Sequence, residues 1–153
     1  MTPAILLLEK LNIPFTVLSY EHDTTNTQFG NEAVEKLDLN SAQVFKTLVL
    51  ETADNALVVA ITPVGQQVNL KQLAQVCRTK KIHMAEPHKV KNSTGYILGG
   101  VSPLAQKKRL PTFVNTSAIQ FDVIYVSAGK RGLEIALSPH DLISQCNAQL
   151  ADF

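Results

Sequence analysis

A glycine-rich stretch in the second half of the 153-residue chain has the residues best suited to chemistry. It runs from Ser93 to Leu104 and contains Gly95, Gly99, Gly100 and Pro103. Glycine tolerates positive φ and lets a ligand approach the main chain, and Pro103 stiffens the exit from the turn. A Gly99-Gly100 turn can therefore offer backbone N–H groups to a carbonyl or phosphate oxygen.

The densest positive charge in the chain follows directly, at Lys107, Lys108 and Arg109. Such a cluster could hold a polyanion beside the glycine turn. The alternative is a tight loop followed by a solvated basic face, because short motifs often match by chance. The two interpretations stay open on this stretch alone.

A lysine interrupts an otherwise apolar strand pattern upstream. The β-branched and alternating segment from Val44 to Thr52 predicts a strand. By alternation, Lys46 shares a face with Leu48 and Leu50. Its ammonium either reaches solvent along the aliphatic stem or points into a polar pocket as a compact charge with three donors.

Composition narrows the classes of protein. The chain has 14 Lys+Arg against 13 Asp+Glu, so any polyanion binding must be local. No apolar run approaches the ~20 residues of a membrane span, and the segment Met1 to Lys10 lacks the pattern of a signal peptide. These features predict a cytoplasmic protein with no membrane partner.

Familiar catalytic and metal-binding motifs are missing. Cys77 and Cys146 give neither metal-ligand spacing nor a disulfide framework, and the histidines are scattered, so we expect no metal and no cofactor. An enzyme of this sequence would depend on positioning and backbone electrostatics. The polar side chains that could converge are Tyr20, Lys46, Thr47, Ser93, Thr94, Ser102 and Glu134.

Short helices and strands must position these residues. Apolar periodicity and capping residues predict helices over Ala4–Leu11, Gln28–Leu37, Leu70–Val76, Glu86–Asn92 and His140–Leu150. Strands are predicted over Pro14–Tyr20, Val44–Thr52, Leu57–Thr62, Lys80–Met84, Thr112–Val114, Phe121–Ser127 and Leu133–Leu137. Neighbouring strands pair as hairpins, which predicts one α+β domain over residues 1–153 with a curved, mostly antiparallel sheet.

Several motifs, taken in order along the chain, carry a resemblance to a known family. They are Met1–Ala4, Tyr20–Asp23, Lys46–Leu48, Ser93–Tyr96, Gly99–Pro103, Gln106–Pro111 and Tyr125–Leu133. Together they resemble the YbaK family, bacterial Cys-tRNA(Pro) deacylases related to the editing domain inserted in prolyl-tRNA synthetases. The resemblance spans essentially the whole chain and implies that family's fold, a mixed, barrel-like sheet flanked by helices.

The resemblance implies a trans-editing enzyme. Proline and cysteine are similar in size, and a pocket that selects by size gains little discrimination, so a second site is useful. The family removes cysteine from mischarged tRNA(Pro) and can act on Cys-tRNA(Cys), in a complex with the synthetase and tRNA. In the family, the substrate's own thiolate attacks its ester carbonyl, and the amino acid leaves as a thiolactone. The resemblance therefore implies that the protein needs no nucleophile of its own.

The same resemblance implies roles for individual residues. Lys46 matches the family's essential lysine and is expected to contact the terminal adenosine phosphate or the ester oxygens. Gly99 and Gly100 match a Gly-Gly-x-x-Pro loop that Pro103 completes, and their amides are expected to face the aminoacyl carbonyl. Ser102, inside this loop, is placed with Pro103 among the substrate-binding residues.

Four further residues fall on pocket positions of the family. Tyr20 and Phe29 are expected to stack on the adenine or to wall the pocket, and Thr47 is expected to line it. Glu134 stands where aspartate is expected, which keeps the charge but moves it by one methylene.

Five cations are predicted to hold the acceptor-stem backbone, and a solvated face remains their alternative. They are Lys107, Lys108, Arg109, Lys130 and Arg131. Two other functions also remain open: water-mediated hydrolysis of Ala-tRNA or another small aminoacyl ester, which pocket size would decide, and a non-catalytic module that binds the synthetase or tRNA ends.

Overall fold

Two long strands form the centre of the fold in a computed structural model that describes residues 1–153. They are β2 (Phe45–Thr52) and β3 (Leu57–Pro63), and they pair antiparallel along their length, as predicted. β-branched and leucine side chains favour the extended backbone here. Asn55 takes a left-handed conformation in the turn between them, with φ of 66°, which asparagine tolerates better than most residues.

The other elements are short and surround this hairpin. The helices are α1 (Pro3–Lys10), α2 (Phe29–Leu37), α3 (Leu70–Val76), α4 (Pro87–Thr94) and α5 (Pro139–Cys146), with a 3₁₀ turn at Thr116–Gln120. The remaining strands are β1 (Thr16–Ser19), β4 (Ile82–Met84), β5 (Thr112–Asn115), β6 (Ile124–Lys130), β7 (Leu133–Leu137) and β8 (Gln149–Ala151). None of these helices is long and apolar enough to cross a membrane.

The strands form two sheets rather than one. A three-stranded antiparallel sheet has the order β1-β7-β6, and a five-stranded sheet has the order β4-β2-β3-β5-β8. The β3–β5 and β5–β8 pairs are parallel, and the remaining pairs are antiparallel. The predicted α+β class with a mixed, mostly antiparallel sheet is confirmed.

The barrel-like arrangement that the family resemblance implies is an open one. Backbone pairing between the two sheets is limited to the residues before β2, where Val44 bridges Tyr125 and the Tyr125 N–H donates to the Gln43 carbonyl at 3.1 Å. Elsewhere the sheets are joined by side-chain packing instead of a hydrogen-bond ladder.

The predicted helix over His140–Leu150 is wrong in its last turn. The helix ends at Cys146 because Asn147 takes a left-handed conformation, with φ of 47°. Its N–H and that of Ala148 close the helix by donating to carbonyls of the last turn. The chain then continues as β8, which extends the five-stranded sheet beside β5.

Buried residues lie on both faces of the central hairpin, in two separate clusters. Phe45, Val49 and Ile61 point to one side and pack in a cluster of 20 buried residues that includes both sheets and α1. Leu50 and Ala60 point to the other side and join a cluster of 9 buried residues around α3. A strand buried on both sides is held rigidly, which fixes the residues at its start.

Candidate active site

A cavity of about 390 Å³ opens where the start of α2, the start of β2 and the three-stranded sheet approach one another. The glycine-rich stretch completes its wall with Leu98, Gly99 and Val101. Five predicted site residues line this cavity, and they come from four separate parts of the chain: Phe29, Lys46, Thr47, Gly99 and Glu134.

Lys46 enters the cavity wall as the second residue of β2. It is half-buried. The ion pairs of the protein use other cations, among them Lys36 and Lys89, and none uses Lys46. Its side chain also makes no hydrogen bond within the protein, so the ammonium is uncommitted and can serve a ligand.

Polar side chains of two strands form the other wall. Glu134 of β7 lies opposite Ser127 of β6 in the ladder, so both side chains share a face. Glu134 is only 7% exposed, and its Oε2 has no hydrogen-bond partner, nor does the buried Thr47 Oγ1. Buried polar atoms are nearly always paired in native proteins, so unpaired atoms in a cavity wall point to a ligand.

Burial raises the pKa values of two acidic side chains in and near this wall, Glu134 and Tyr20. It raises the pKa of Glu134 to about 8, because no cation close to the carboxylate offsets its desolvation. Burial, followed by the negative charge that Glu134 would carry, also raises the pKa of Tyr20. Near neutral pH, Glu134 is therefore mostly a neutral acid that can donate and accept.

Of the two expected amides of the glycine turn, one already has an acceptor within the protein. The Gly100 N–H donates to the Ile97 carbonyl at 2.9 Å, and Gly100 does not line the cavity. The Gly100 N–H is therefore engaged within the turn, and its expected contact with the substrate carbonyl stays a prediction. Gly99 and Val101 do line the cavity, and their amides donate to no acceptor in the protein.

The end of the glycine loop faces away from this cavity. Ser102 and Pro103 are buried, and neither lines it. The Ser102 hydroxyl accepts from the Leu104 N–H, and the Pro103 carbonyl accepts from the Cys146 thiol at 3.3 Å. These contacts give both residues a supporting place behind the loop, and their predicted substrate contact stays a prediction.

Tyr20 and Phe29 occupy different positions. Phe29 opens α2 and lines the cavity, as its predicted role requires. Tyr20 follows β1 and is not among the lining residues, although its N–H donates to the carbonyl of Gly132, two residues before Glu134. Tyr20 thus joins the edge strand to the tip of the β6–β7 hairpin.

The predicted cationic cluster borders a second cavity of about 270 Å³, which Lys107, Lys108 and Arg109 line together with Cys146. None of these cations pairs with a carboxylate, although Arg109 donates to the Gln145 carbonyl. The Cys146 thiol is an inert part of the wall, because burial raises its pKa to about 12.

Sequence reasoning missed Ser127 and Val101 as lining residues. The strand pattern carried the signal for Ser127, since a polar residue in an apolar strand opposite Glu134 must face the same side. Nothing in the sequence marks Val101, because which amide of the glycine turn is left without an acceptor depends on the folded loop. No cysteine or histidine lines the first cavity, so the protein supplies no thiol and no imidazole there.

Comparison with known proteins places this chain in a family. The model of the family "Aminoacyl-tRNA editing domain" matches residues 25–144. A protein of Enterococcus faecalis named "Putative Cys-tRNA(Pro)/Cys-tRNA(Cys) deacylase EbsC" is 37% identical over 152 residues, covering 99% of this chain and 92% of that protein. The YwhH protein of Bacillus subtilis is 22% identical over 139 residues, with 88% of each chain covered.

Solved structures agree on the fold. One described as "a putative trans-editing enzyme for prolyl tRNA synthetase" has a TM-score of 0.79 and 20% identity, covering 90% of this chain and 85% of that one. A scaffold protein used for epitope grafting has a TM-score of 0.86 at 18% identity, covering 99% and 94%. The predicted family resemblance is confirmed: the chain belongs to the aminoacyl-tRNA editing domain family.

Proposed function

We propose that the protein is a trans-editing deacylase that removes cysteine from Cys-tRNA(Pro) and Cys-tRNA(Cys). Membership of the editing family and the name of the E. faecalis relative support this proposal. One observation carries it: the cavity is lined by an uncommitted lysine and by two residues whose amides have no acceptor in the protein, but by no cysteine or histidine. In this proposal residues 1–153 act as one editing domain in the cytoplasm, with no cofactor.

The substrate supplies the missing nucleophile. The cysteinyl sulfur attacks the carbonyl carbon of its own ester, forms the C–S bond of a thiolactone and breaks the C–O bond to the terminal ribose. The thiol proton ends on the released ribose hydroxyl, so no water is consumed in this step. The protein's contribution is to fold the substrate into a reactive pose and to stabilise the charge that develops on oxygen.

The cavity residues suit these tasks. Lys46 contacts the terminal phosphate or the ester oxygens with its free ammonium. The amides of Gly99 and Val101 donate to the carbonyl oxygen, because they have no acceptor in the protein whereas the Gly100 amide donates to Ile97. Glu134 and Thr47 carry unpaired buried oxygens, which bind the α-amino group of the cysteinyl moiety.

The chemistry then sets the specificity. Proline, alanine and serine have no thiol, so they fit a cavity of this size without reacting. A hydrophobic pocket that selects by size discriminates between substrates by only about 10–200-fold. Cyclisation avoids that limit, because it requires a thiol. We therefore expect rapid loss of amino acid from Cys-tRNA(Pro) and negligible loss from Ala-tRNA(Pro) and Pro-tRNA(Pro), measured with labelled amino acids.

That comparison also tests the whole proposal. The released product should be the thiolactone, which mass spectrometry distinguishes from free cysteine when it is trapped with an amine at once. Equal loss of alanine would mean a water-driven hydrolase and would contradict the cyclisation step. Loss of no amino acid, with tRNA still bound, would favour a binding module instead.

The acceptor stem has a place on the second cavity in this proposal. Lys107 and Lys108 are exposed and unpaired, and the loop that carries them follows directly from the glycine loop. Lys130, exposed at the end of β6, adds a cation near the hairpin tip. A prolyl-tRNA synthetase bound to the same tRNA would deliver the mischarged end to the site.

Replacing Lys107 and Lys108 together by alanine should weaken tRNA binding without touching the first cavity. Each lost phosphate contact lowers the slope of log affinity against log salt by about 0.7–0.9, so the slope is the measurement. Arg109 is kept in this variant because it also holds α5. Lys71→Ala, an exposed lysine on α3 that lines neither cavity, is the matched control. An unchanged slope in the double variant would contradict the contact.

A further inference from the structure

Arg131 ties the tip of the β6–β7 hairpin to the glycine turn. Its Nε and Nη2 both donate to the Leu98 carbonyl, at 3.0 and 2.7 Å. Its guanidinium carbon also lies 4.5 Å from the centroid of the Phe29 ring. One side chain therefore contacts the residue before Gly99 and the aromatic residue that opens α2.

The glycine turn packs so closely against the Arg131 side chain that a Cβ at Gly99 would clash with it. A Cβ added to Gly99 would lie 2.7 Å from the Arg131 Nε and 2.8 Å from the Phe29 ring. A Cβ added to Gly100 would lie 3.0 Å from the Lys130 Cα. The absence of side chains at both glycines lets the hairpin tip and α2 close directly onto the backbone of the turn.

Phe29, the aromatic partner of Arg131, also lies beside His22, whose loop is bound by a buried carboxylate. The rings of His22 and Phe29 lie 5.9 Å apart. The His22 Nδ1 is 2.6 Å from Glu32 Oε1, and the Asp23 N–H donates to Glu32 Oε2 at 2.8 Å. Glu32 is only 1% exposed, so a buried carboxylate on α2 anchors the loop that backs the Phe29 ring.

We infer that Arg131 is a positioning residue, which holds the Gly99 and Val101 amides in place for the aminoacyl carbonyl. This inference rests on the proposed deacylase function, since the amides are the groups that it positions. It assigns Arg131 a role other than the acceptor-stem contact expected from its charge. With the guanidinium over one face of Phe29, that face is covered, and the ring serves as a wall of the cavity.

Arginine is required for this geometry. Its planar fork can donate two hydrogen bonds to one carbonyl while lying against an aromatic ring, whereas the ammonium of lysine is a point charge. Arg131→Lys therefore keeps the charge that RNA would contact and loses the fork. A misplacement of about 1 Å can cost on the order of 100-fold in rate, so loss of the fork should act on the chemical step.

A measurement without substrate tests the structural part. We expect the backbone ¹⁵N order parameters of Gly99 and Val101 to fall from about 0.85 towards 0.6 in Arg131→Lys and Arg131→Ala. Lys130→Ala, which removes the neighbouring charge without touching Leu98, should leave them at the wild-type values. Unchanged order parameters in both Arg131 variants would overturn the inference.

A kinetic measurement tests the functional part. In single turnover at saturating enzyme, we expect Arg131→Lys to lower the rate of Cys-tRNA(Pro) deacylation about 10–100-fold, with its affinity for tRNA unchanged. Wild-type rate with weakened affinity in Arg131→Ala would identify a phosphate contact and overturn the inference. If the wild-type protein deacylates nothing, the proposed function fails, while the order parameters still decide whether Arg131 holds the turn. Circular dichroism confirms folding of each variant.

Discussion

Lys46→Ala should lower the rate of Cys-tRNA(Pro) deacylation by about 10²–10³-fold at saturating enzyme, the range measured when one preorganised electrostatic group is removed from an active site. The expectation rests on the free ammonium in the cavity wall, since no protein carboxylate or carbonyl uses it. The measurement is single-turnover loss of labelled cysteine.

The fold should survive this change. Lys46 is half-buried and has no partner in the protein, so truncation leaves no unpaired group behind. Substitutions of this kind usually alter the free energy of unfolding by less than about 0.5 kcal/mol. Far-UV circular dichroism and urea unfolding check this, and Lys71→Ala is the control for loss of one positive charge. Wild-type turnover in folded Lys46→Ala would remove Lys46 from the mechanism.

Lys46→Arg separates charge from shape at the same position. Arginine keeps the positive charge and replaces the compact ammonium with a wider planar fork. If Lys46 only attracts the tRNA phosphate, the arginine variant should keep most of the activity. A loss close to that of Lys46→Ala would mean that the ammonium must fit at the ester oxygens.

The sequence predicted the central strands well because their pattern reflects burial. The β2–β3 hairpin and the polar position of Lys46 both follow from alternation along one strand. The division of the strands into two sheets could not be predicted, because whether two sheets share hydrogen bonds depends on packing between distant segments. The end of α5 depended on one asparagine, whose left-handed conformation stops the helix.

In the site, too, some roles could be predicted from the sequence and others could not. The strand pattern identified Lys46 as a candidate, since a charge in an apolar strand needs a partner or a ligand. Glu134 was a candidate as a polar side chain that could converge and, through the family resemblance, as a pocket residue. Backbone roles could not be predicted in the same way. Which amide of the glycine turn is free depends on the Gly100–Ile97 hydrogen bond, and the task of Arg131 depends on the carbonyl beside it. Both are properties of the folded loop.

Glu134→Gln should stabilise the protein increasingly as the pH rises. The folded state holds the Glu134 proton up to its pKa of about 8, while the unfolded chain releases it near the ordinary value of 4.5. Between these values the folded state binds the extra proton, so stability falls with rising pH. Glutamine cannot ionise, and its gain at pH 7 should be on the order of 3 kcal/mol.

Urea unfolding of wild type and Glu134→Gln at pH 5, 7 and 9 measures this dependence. Glu51→Gln is the control, because the pKa of Glu51 is lowered where that of Glu134 is raised. A hydrogen bond from Lys89 lowers the pKa of Glu51. The ionised carboxylate therefore stabilises the folded state at every pH above the ordinary pKa of a glutamate, and this stabilisation is lost only as the pH falls through the lowered pKa. Its glutamine variant should lose stability by a constant amount from pH 7 to 9. A constant difference for Glu134→Gln would contradict the raised pKa.

The same variant should lose activity while it gains stability, as expected where an active site keeps a strained group. The α-ammonium of the cysteinyl substrate would lower the pKa of Glu134 on binding, so that the carboxylate ionises only against that charge. Glutamine can donate and accept but cannot supply the negative charge. Glu134→Gln should therefore raise KM for Cys-tRNA(Pro) about 10-fold, the loss of roughly one charge-assisted hydrogen bond. A more stable variant with unchanged KM would place the α-amino group elsewhere in the cavity.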